Sequence, residues 1–218
     1  MRFPNAYKGV KKLFIAELIA ILAGLLALTS AILVAAGLQN DQLLLAAGTV
    51  GIITGVAALI GLVLQLVGLW QGGRDELLIK RAFYLIIFSI ALGLTTTILG
   101  TLPSNDGLTI TIRVLDTLQS IFSTFALVCI LLGISNLANS LSDEKMERKG
   151  RRLAYIVVAL YVVSIILGLY PSFLVGEMPD WVKNLVAITA IVAAVIELIV
   201  YILTVLYYAK ATKMLKEE

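Results

Sequence analysis

Few residues in this sequence could do chemistry, and the first to consider is an acidic side chain inside a long apolar run. The run covers residues 185–209, and Glu197, its single acidic residue, lies at its midpoint. If the run crosses a membrane as a helix, Glu197 lies near the bilayer centre, where an ionisable group is costly and usually functional. Such a group suits proton-coupled transport or a cation site. It equally suits a hydrogen bond that holds two helices together.

Other polar residues extend this pattern. Tyr201 and Thr204 share the helical face of Glu197 and would form a polar track from the bilayer centre towards the cytoplasm. Further polar side chains occur at the end of the second apolar run, in the outer half of the fourth, and about one turn inside the first. The candidate pathway residues are Glu17, Gln65, Asp116, Gln119, Ser123, Glu197, Tyr201 and Thr204.

Each of these candidates also has a structural interpretation, which the sequence leaves open. Glu17 could pair with the basic residues at the membrane boundary, where a charge costs less than at the centre. Gln65 could bond across to a neighbouring helix. Asp116 could pair with Arg113 at a helix end near the outer surface, or it could line an outward vestibule with Gln119 and Ser123.

The residue types that are missing exclude several kinds of catalytic site. The chain has no histidine and a single cysteine, Cys129, which excludes disulfides, Cys/His zinc sites, histidine-ligated haem and iron–sulfur clusters. No recognisable pair of catalytic acids lies within the apolar runs, and no phosphate-binding loop is present. We therefore expect neither an enzyme nor a bound metal or cofactor.

Composition and hydropathy indicate the class of protein. Of the 218 residues, 60% are hydrophobic and 14% are charged, with a mean hydropathy of +1.01. Soluble domains are about a quarter charged. The apolar residues form six runs long enough to cross a bilayer as helices: 13–37, 43–70, 82–102, 114–137, 153–175 and 185–209. Because an open sheet cannot satisfy its backbone in lipid, the sequence predicts an all-α integral membrane protein with six transmembrane helices.

The basic residues predict the orientation of these helices. Fifteen of the 17 lie at the two termini or in the second and fourth connections, and only Arg113 and Lys183 lie in the others. The positive-inside rule therefore predicts that both termini are cytoplasmic. The residues Lys12, Arg81 and Arg152 each open a pair of runs at similar spacing. This spacing would fit three antiparallel helical hairpins, or simply a six-span protein with short loops.

The second apolar run carries a predicted packing face. Gly48, Gly51, Gly55 and Ala58 recur on one side of a helix, and the same side continues to Gln65. Small residues at this spacing let another backbone approach closely, as at helix contacts in lipid. The alternative is that the glycines shape a cavity with Gln65 in its wall.

These observations lead to two functional hypotheses for residues 1–218, taken as a single transmembrane domain. The first is a small-solute or proton/cation-coupled transporter or permease component in a cytoplasmic, bacterial membrane. The alternative is a non-catalytic structural or partner-binding subunit that assembles through its small-residue faces. The expected partners are the lipid bilayer and either a second copy or another membrane subunit, with no nucleic acid. Under the first hypothesis Glu197→Gln abolishes flux, and under the second it weakens the fold or assembly.

Overall fold

The computed structural model describes residues 2–36, 41–103, 106–173 and 180–217, with side chains except at 106, 166–173, 180–186 and 190. Within these ranges the chain forms six α-helices and no β-strand. The helices are α1 (Pro4–Ala36), α2 (Asp41–Gly72), α3 (Leu77–Leu99), α4 (Asp106–Ser140), α5 (Glu144–Phe173) and α6 (Asp180–Glu217). The predicted all-α fold is therefore confirmed for the described residues.

Among the described residues, five helices are long and apolar enough to cross a membrane. They are Pro4–Ala36, Asp41–Gly72, Leu77–Leu99, Gly107–Ser140 and Ala187–Glu217. Many large apolar side chains on them are exposed, Leu45 and Ile52 by more than 70%, which suits contact with lipid. Residue 37 of the first predicted span and residues 174–175 of the fifth lie outside the described residues. Helix α5 is not among these five, so a sixth span on α5 stays a prediction, as does the cytoplasmic location of both termini.

Several helices extend well beyond the apolar runs that predict them, and α1 and α6 are two examples. Helix α1 begins at Pro4 although its run begins at residue 13, and α6 continues to Glu217 although its run ends at residue 209. Proline is favoured at the first position of a helix, because it donates no backbone hydrogen bond and its φ angle is already helical. Hydropathy marks the part of a helix that can lie in hydrocarbon, and polar turns continue the helix on either side.

The contacts divide the chain into two compact units. Unit 1 contains Met1–Asp75 and Tyr208–Glu218, and unit 2 contains Glu76–Tyr207. Helix α6 thus contributes its last residues to unit 1 and the rest to unit 2. The single transmembrane domain over residues 1–218 stays a prediction.

In unit 1, α1 and α2 pack as an antiparallel pair whose backbones meet at glycines. A Cβ atom added to Gly9 would lie 2.5 Å from the carbonyl oxygen of Gly68 and 2.6 Å from the amide nitrogen of Gly72. One added to Gly68 would lie 2.9 Å from the carbonyl oxygen of Gly9. Only residues without a side chain can occupy these positions, because the groups they face are backbone atoms.

Hydrogen bonds close the same end of the pair. Asp75 follows α2 and accepts from the first turn of α1, through Oδ1 from Asn5 Nδ2 at 2.9 Å and through Oδ2 from Ala6 N at 2.8 Å. Lys12 Nζ also donates to Gln71 Oε1 at 2.9 Å. The amide groups in the first turn of a helix have no hydrogen-bond acceptor within that helix. A carboxylate there supplies an acceptor and interacts favourably with the positive end of the helix dipole.

In unit 2, α4 packs against both α3 and α5. Asn136 Nδ2 of α4 donates to Glu76 Oε1 beside the start of α3, at 3.3 Å. On the α5 side, the fully buried Ser135 Oγ donates to the Glu147 carbonyl oxygen at 2.8 Å. The end of α4 therefore lies beside the starts of both α3 and α5.

A compact joint connects α4 to α5. Ser142 has a φ of 60°, in the left-handed region. Its N–H donates to the Asn139 carbonyl at 3.0 Å, and the next N–H, of Asp143, donates to the Ala138 carbonyl at 2.9 Å. These two bonds form a Schellman motif, which satisfies the last carbonyls of α4. Asp143 Oδ1 then accepts from Met146 N at 3.1 Å and caps α5, so one residue ends one helix and begins the next.

Contacts between α5 and α6 show that these helices run antiparallel. Tyr207 hydroxyl, late in α6, donates to the Met146 carbonyl early in α5 at 3.4 Å. Ser164, later in α5, contacts Glu197, earlier in α6. The Tyr207 ring also lies over Gly150, where a side chain would overlap the hydroxyl group. The antiparallel pairs α1–α2, α3–α4 and α5–α6 are compatible with hairpins, while their threefold repetition stays a prediction.

The first prediction concerns the contact between α1 and α2. We expect Gly9→Ala to lower the free energy of unfolding by about 1–3 kcal/mol, since the added methyl group would displace backbone atoms that no rotamer change can move. Equilibrium unfolding in detergent measures this. Gly48→Ala is the matched control, because its Cβ would meet no described atom within 4 Å. Equal destabilisation by both variants would contradict the assignment of the contact to Gly9.

The second prediction concerns the joint between α4 and α5. Asp143→Ala should lower the free energy of unfolding by about 1 kcal/mol, because it removes the acceptor that caps α5. Asp143→Asn keeps a side-chain oxygen at the same place and should retain most of the stability. Denaturant unfolding of both proteins in one detergent makes the comparison. An asparagine variant as unstable as the alanine variant would show that capping is not the role of this residue.

Candidate functional site

The candidate site is a cavity of about 380 Å³ between α1 and α2, within unit 1. It contains two of the polar residues that the sequence singles out, one from each helix. Its lining residues are Ala16, Glu17, Ala20, Ala23, Ala58, Gly61, Leu62 and Gln65. The structure therefore brings together Glu17 and Gln65, which are far apart in the sequence.

The cavity exists because small side chains face each other between two points of close contact. At one end the backbones meet at Gly9 and Gly68. Towards the other end, Ser30 Oγ donates to the Ala47 carbonyl at 2.9 Å. Between these contacts α1 presents alanines and α2 presents a glycine and an alanine, so the helices stay paired while their side chains leave the space unfilled.

The polar groups of the cavity are a carboxyl group and an amide. Glu17 is half-buried and interacts with other groups of the chain, and Gln65 is also half-buried. The other lining residues are apolar, so two polar side chains are set in an apolar wall, as in many small-molecule sites. A carboxylate can neutralise a cation or an amine, and an amide can donate to or accept from a neighbouring polar atom.

Glu197 lies in unit 2, where a serine is its partner. Ser164 Oγ of α5 donates to Glu197 Oε1 at 2.7 Å, although Glu197 itself is exposed. One turn before Ser164, the hydroxyl oxygen of Tyr161 is buried and has no hydrogen-bond partner among the described residues. The Glu197 carboxyl thus joins α5 to α6, and a polar group beside this contact remains unsatisfied.

The rest of the predicted track on α6 makes local contacts. Thr204 is buried, and its hydroxyl donates to the Val200 carbonyl of its own helix at 2.9 Å. Such back-bonding is the commoner use of a threonine within a helix. Tyr201 is half-buried and also interacts within the chain.

The polar residues of α4 face α3. The hydroxyl oxygens of Ser123 and Ser89 lie 2.6 Å apart. A Cβ atom added to Gly93 would lie 2.9 Å from Gln119 Nε2, so the Gln119 side chain packs against this glycine. Both Ser123 and Gln119 therefore contact a neighbouring helix, as polar side chains commonly do in membrane proteins.

Asp116 is exposed, as Ser123 also is. The salt bridges among the described side chains join Arg148 to Glu144 and Arg151 to Glu147, so the predicted pair of Arg113 and Asp116 is not among them. The vestibule that would contain Asp116, Gln119 and Ser123 stays a prediction.

The predicted packing face of α2 is mostly open within the chain. A Cβ atom added to Gly48 or Gly55 would meet no described atom within 4 Å, and one added to Gly51 would lie 3.8 Å from Ser30 Oγ. Ala58 lines the cavity. The backbones of α1 and α2 instead come close where Gly9 of α1 faces Gly68 and Gly72 of α2. The register between the two helices, and not the glycine spacing alone, decides which glycines meet. Packing of Gly48, Gly51, Gly55 and Ala58 against another molecule stays a prediction.

Two residues that the sequence did not single out as functional prove to be hydrogen-bond partners of the candidates. They are Ser164, which binds Glu197, and Ser89, which contacts Ser123. Each has a glycine four residues later in the sequence, Gly93 after Ser89 and Gly168 after Ser164, and this small-residue spacing was the available signal. Nothing in a single sequence indicates which serine of one helix faces which residue of another.

The candidate residues belong to two different units. Glu17, Gln65 and Ala58 belong to unit 1, whereas Asp116, Gln119, Ser123, Glu197, Tyr201 and Thr204 belong to unit 2. Among the described residues, no three Cys, Asp or Glu side chains form a group that could hold a metal ion. The chain matches no protein-family model, no curated protein and no solved structure. The function must therefore be argued from these residues.

The third prediction concerns the contact between Ser164 and Glu197. In a double-mutant cycle of Ser164→Ala and Glu197→Gln, we expect a coupling of about 0.6 kcal/mol, and at most about 1.7, as for other hydrogen bonds between membrane helices. Unfolding in detergent provides the four stabilities. A control cycle of Ser164→Ala and Thr95→Ala should be additive, because Thr95 bonds to its own helix. Additivity in the first cycle would show that the contact contributes nothing to stability.

Proposed function

We propose that this chain is a six-span protein of a cytoplasmic membrane, with both termini in the cytoplasm, that acts as a small-solute or proton/cation-coupled transporter or permease component. The distribution of the basic residues supports this topology, and the five apolar helices support a membrane location. The observation that carries the transport proposal is the cavity between α1 and α2 with its carboxyl group and its amide.

The size and chemistry of the cavity suit a small polar solute. Its volume of about 380 Å³ falls within the range of small-molecule sites. Glu17 lies about one turn inside the predicted cytoplasmic boundary, where a charge costs less than at the bilayer centre. In this proposal Glu17 balances the charge of a cation or amine, and Gln65 orients it.

The acidic residue at the bilayer centre is the proposed coupling group. A deprotonated Glu197 accepts the hydrogen bond from Ser164, whereas a protonated Glu197 can donate one itself. A change in protonation therefore changes the contact between α5 and α6. This is how proton binding would favour one arrangement of these helices over another.

A second candidate function is supported by a different observation. Gly51 and Gly55 of α2 form a Gly-x-x-x-Gly pair within an apolar helix, and no described atom lies within 4 Å of a Cβ added to Gly55. Such pairs commonly allow close contact between membrane helices. The alternative proposal is therefore a structural or partner-binding subunit whose α2 contacts a second copy or another membrane protein.

The fourth prediction tests transport through the cavity. We expect wild-type protein in sealed vesicles to carry protons, monovalent cations or methylammonium faster than protein-free vesicles do. Glu17→Gln should lower this flux at least about tenfold, because a contact with a charged group contributes about 1.5–3 kcal/mol. Ala20→Leu should also lower it, by filling the cavity. Fluorescent pH indicators and radioactive tracers measure these fluxes.

The matched control is Ala27→Leu, an exposed alanine of α1 that does not line the cavity. It should leave the flux unchanged. Flux that survives both Glu17→Gln and Ala20→Leu would contradict a role for the cavity. Wild-type vesicles without any flux, together with an oligomer that dissociates when Gly55 is changed to Leu, would favour the alternative function.

A further inference from the structure

The first turns of α5 carry five cations, two of which are neutralised by acidic neighbours. Arg148 Nη2 lies 2.7 Å from Glu144 Oε2, and Arg151 Nη2 lies 2.8 Å from Glu147 Oε1. Both pairs join residues four apart along the helix. They account for every acidic residue within α5 up to residue 152. The remaining cations of this segment therefore have no acidic partner within their own helix.

The three remaining cations are Lys145, Lys149 and Arg152, and we call them the basic stripe. They recur at positions i, i+4 and i+7, so they share one face of α5. All three are exposed, and they take part in neither of the salt bridges found among the described residues. Another side of the same turns, with Met146 and Leu153, is buried. The basic stripe is thus an uncompensated positive surface.

The position of the basic stripe in the chain places it at a membrane boundary. Helix α4 is of membrane-spanning type and ends at Ser140, and α5 begins at Glu144. Further along α5 the exposed residues become aromatic and apolar, with Tyr155 74% exposed and Ile156 42% exposed. Cations followed by an aromatic ring and then by apolar side chains are typical of the passage from headgroups to hydrocarbon.

We propose that the basic stripe binds the headgroups of anionic phospholipids in the leaflet at which α4 ends. Phosphate oxygens are strong acceptors for ammonium and guanidinium groups. Each basic residue near an anionic membrane surface adds to the attraction, so three on one face form a site and not a single contact. The inference depends on the membrane location of α4 and on the contacts of α5, and it does not require transport.

The test uses the full-length protein in mixed micelles of phosphatidylglycerol and phosphatidylcholine, which differ in headgroup charge. Native mass spectrometry counts the two lipids that remain bound. We expect wild-type protein to retain mainly phosphatidylglycerol. The triple variant Lys145→Gln, Lys149→Gln, Arg152→Gln should lose affinity for it by about fivefold for each cation removed.

The matched control is the triple variant Lys210→Gln, Lys213→Gln, Lys216→Gln. It removes the same charge from exposed lysines at the end of α6 and should keep most of the preference for phosphatidylglycerol. An equal loss in the two variants would overturn the proposal, because the preference would then follow net charge. An unchanged preference in the stripe variant would overturn it as well.

A second measurement needs no variant and so does not depend on correct folding of a mutant. The preference of the wild-type protein for phosphatidylglycerol should fall as sodium chloride is raised, since contacts at an exposed surface are screened. A preference that persists at high salt would place the lipid in a buried site elsewhere and would contradict binding at the basic stripe.

Discussion

The close approach of the α1 and α2 backbones is the contact on which unit 1 depends. In lipid there is no hydrophobic driving force between two apolar helices, so their association depends on close packing and on hydrogen bonds. Gly9 and Gly68 allow the packing, and Asp75 ties the end of α2 to the first turn of α1. The cavity follows from this contact, because alanines further along α1 cannot fill the space between the paired helices, which remains open at the exposed residues Ala20 and Ala58.

Several polar side chains in unit 2 form contacts between helices. Ser123 contacts Ser89, Ser135 donates to the Glu147 carbonyl, and Ser164 donates to Glu197. The contacts of Ser123 and Ser164 lie within predicted spans, where an unpaired polar group would be costly. The cavity in unit 1 is therefore a better basis for a transport proposal than the predicted polar track on α6, where Thr204 bonds to its own helix.

The sequence predicts the helices well because their apolar runs follow directly from the thickness of a bilayer. It predicts their ends poorly, since the polar turns from Pro4 to residue 12 are helical for reasons other than hydropathy. Glu17 and Gln65 are recognisable as unusual residues, but their meeting depends on the register of two helices. That register also decides which glycines come into contact, and spacing within α2 does not distinguish Gly48 and Gly55 from Gly61 and Gly68.

The cations of α5 are a second case in which the sequence shows the residues but not their arrangement in the structure. Orienting a membrane protein requires only that enough basic residues lie on one side, in any arrangement. In the structure, acidic residues neutralise Arg148 and Arg151. The other cations, Lys145, Lys149 and Arg152, lie on one exposed face and take part in neither salt bridge found among the described residues. A topology signal alone does not account for this separation. A surface that binds anionic headgroups does, since it needs several free cations side by side.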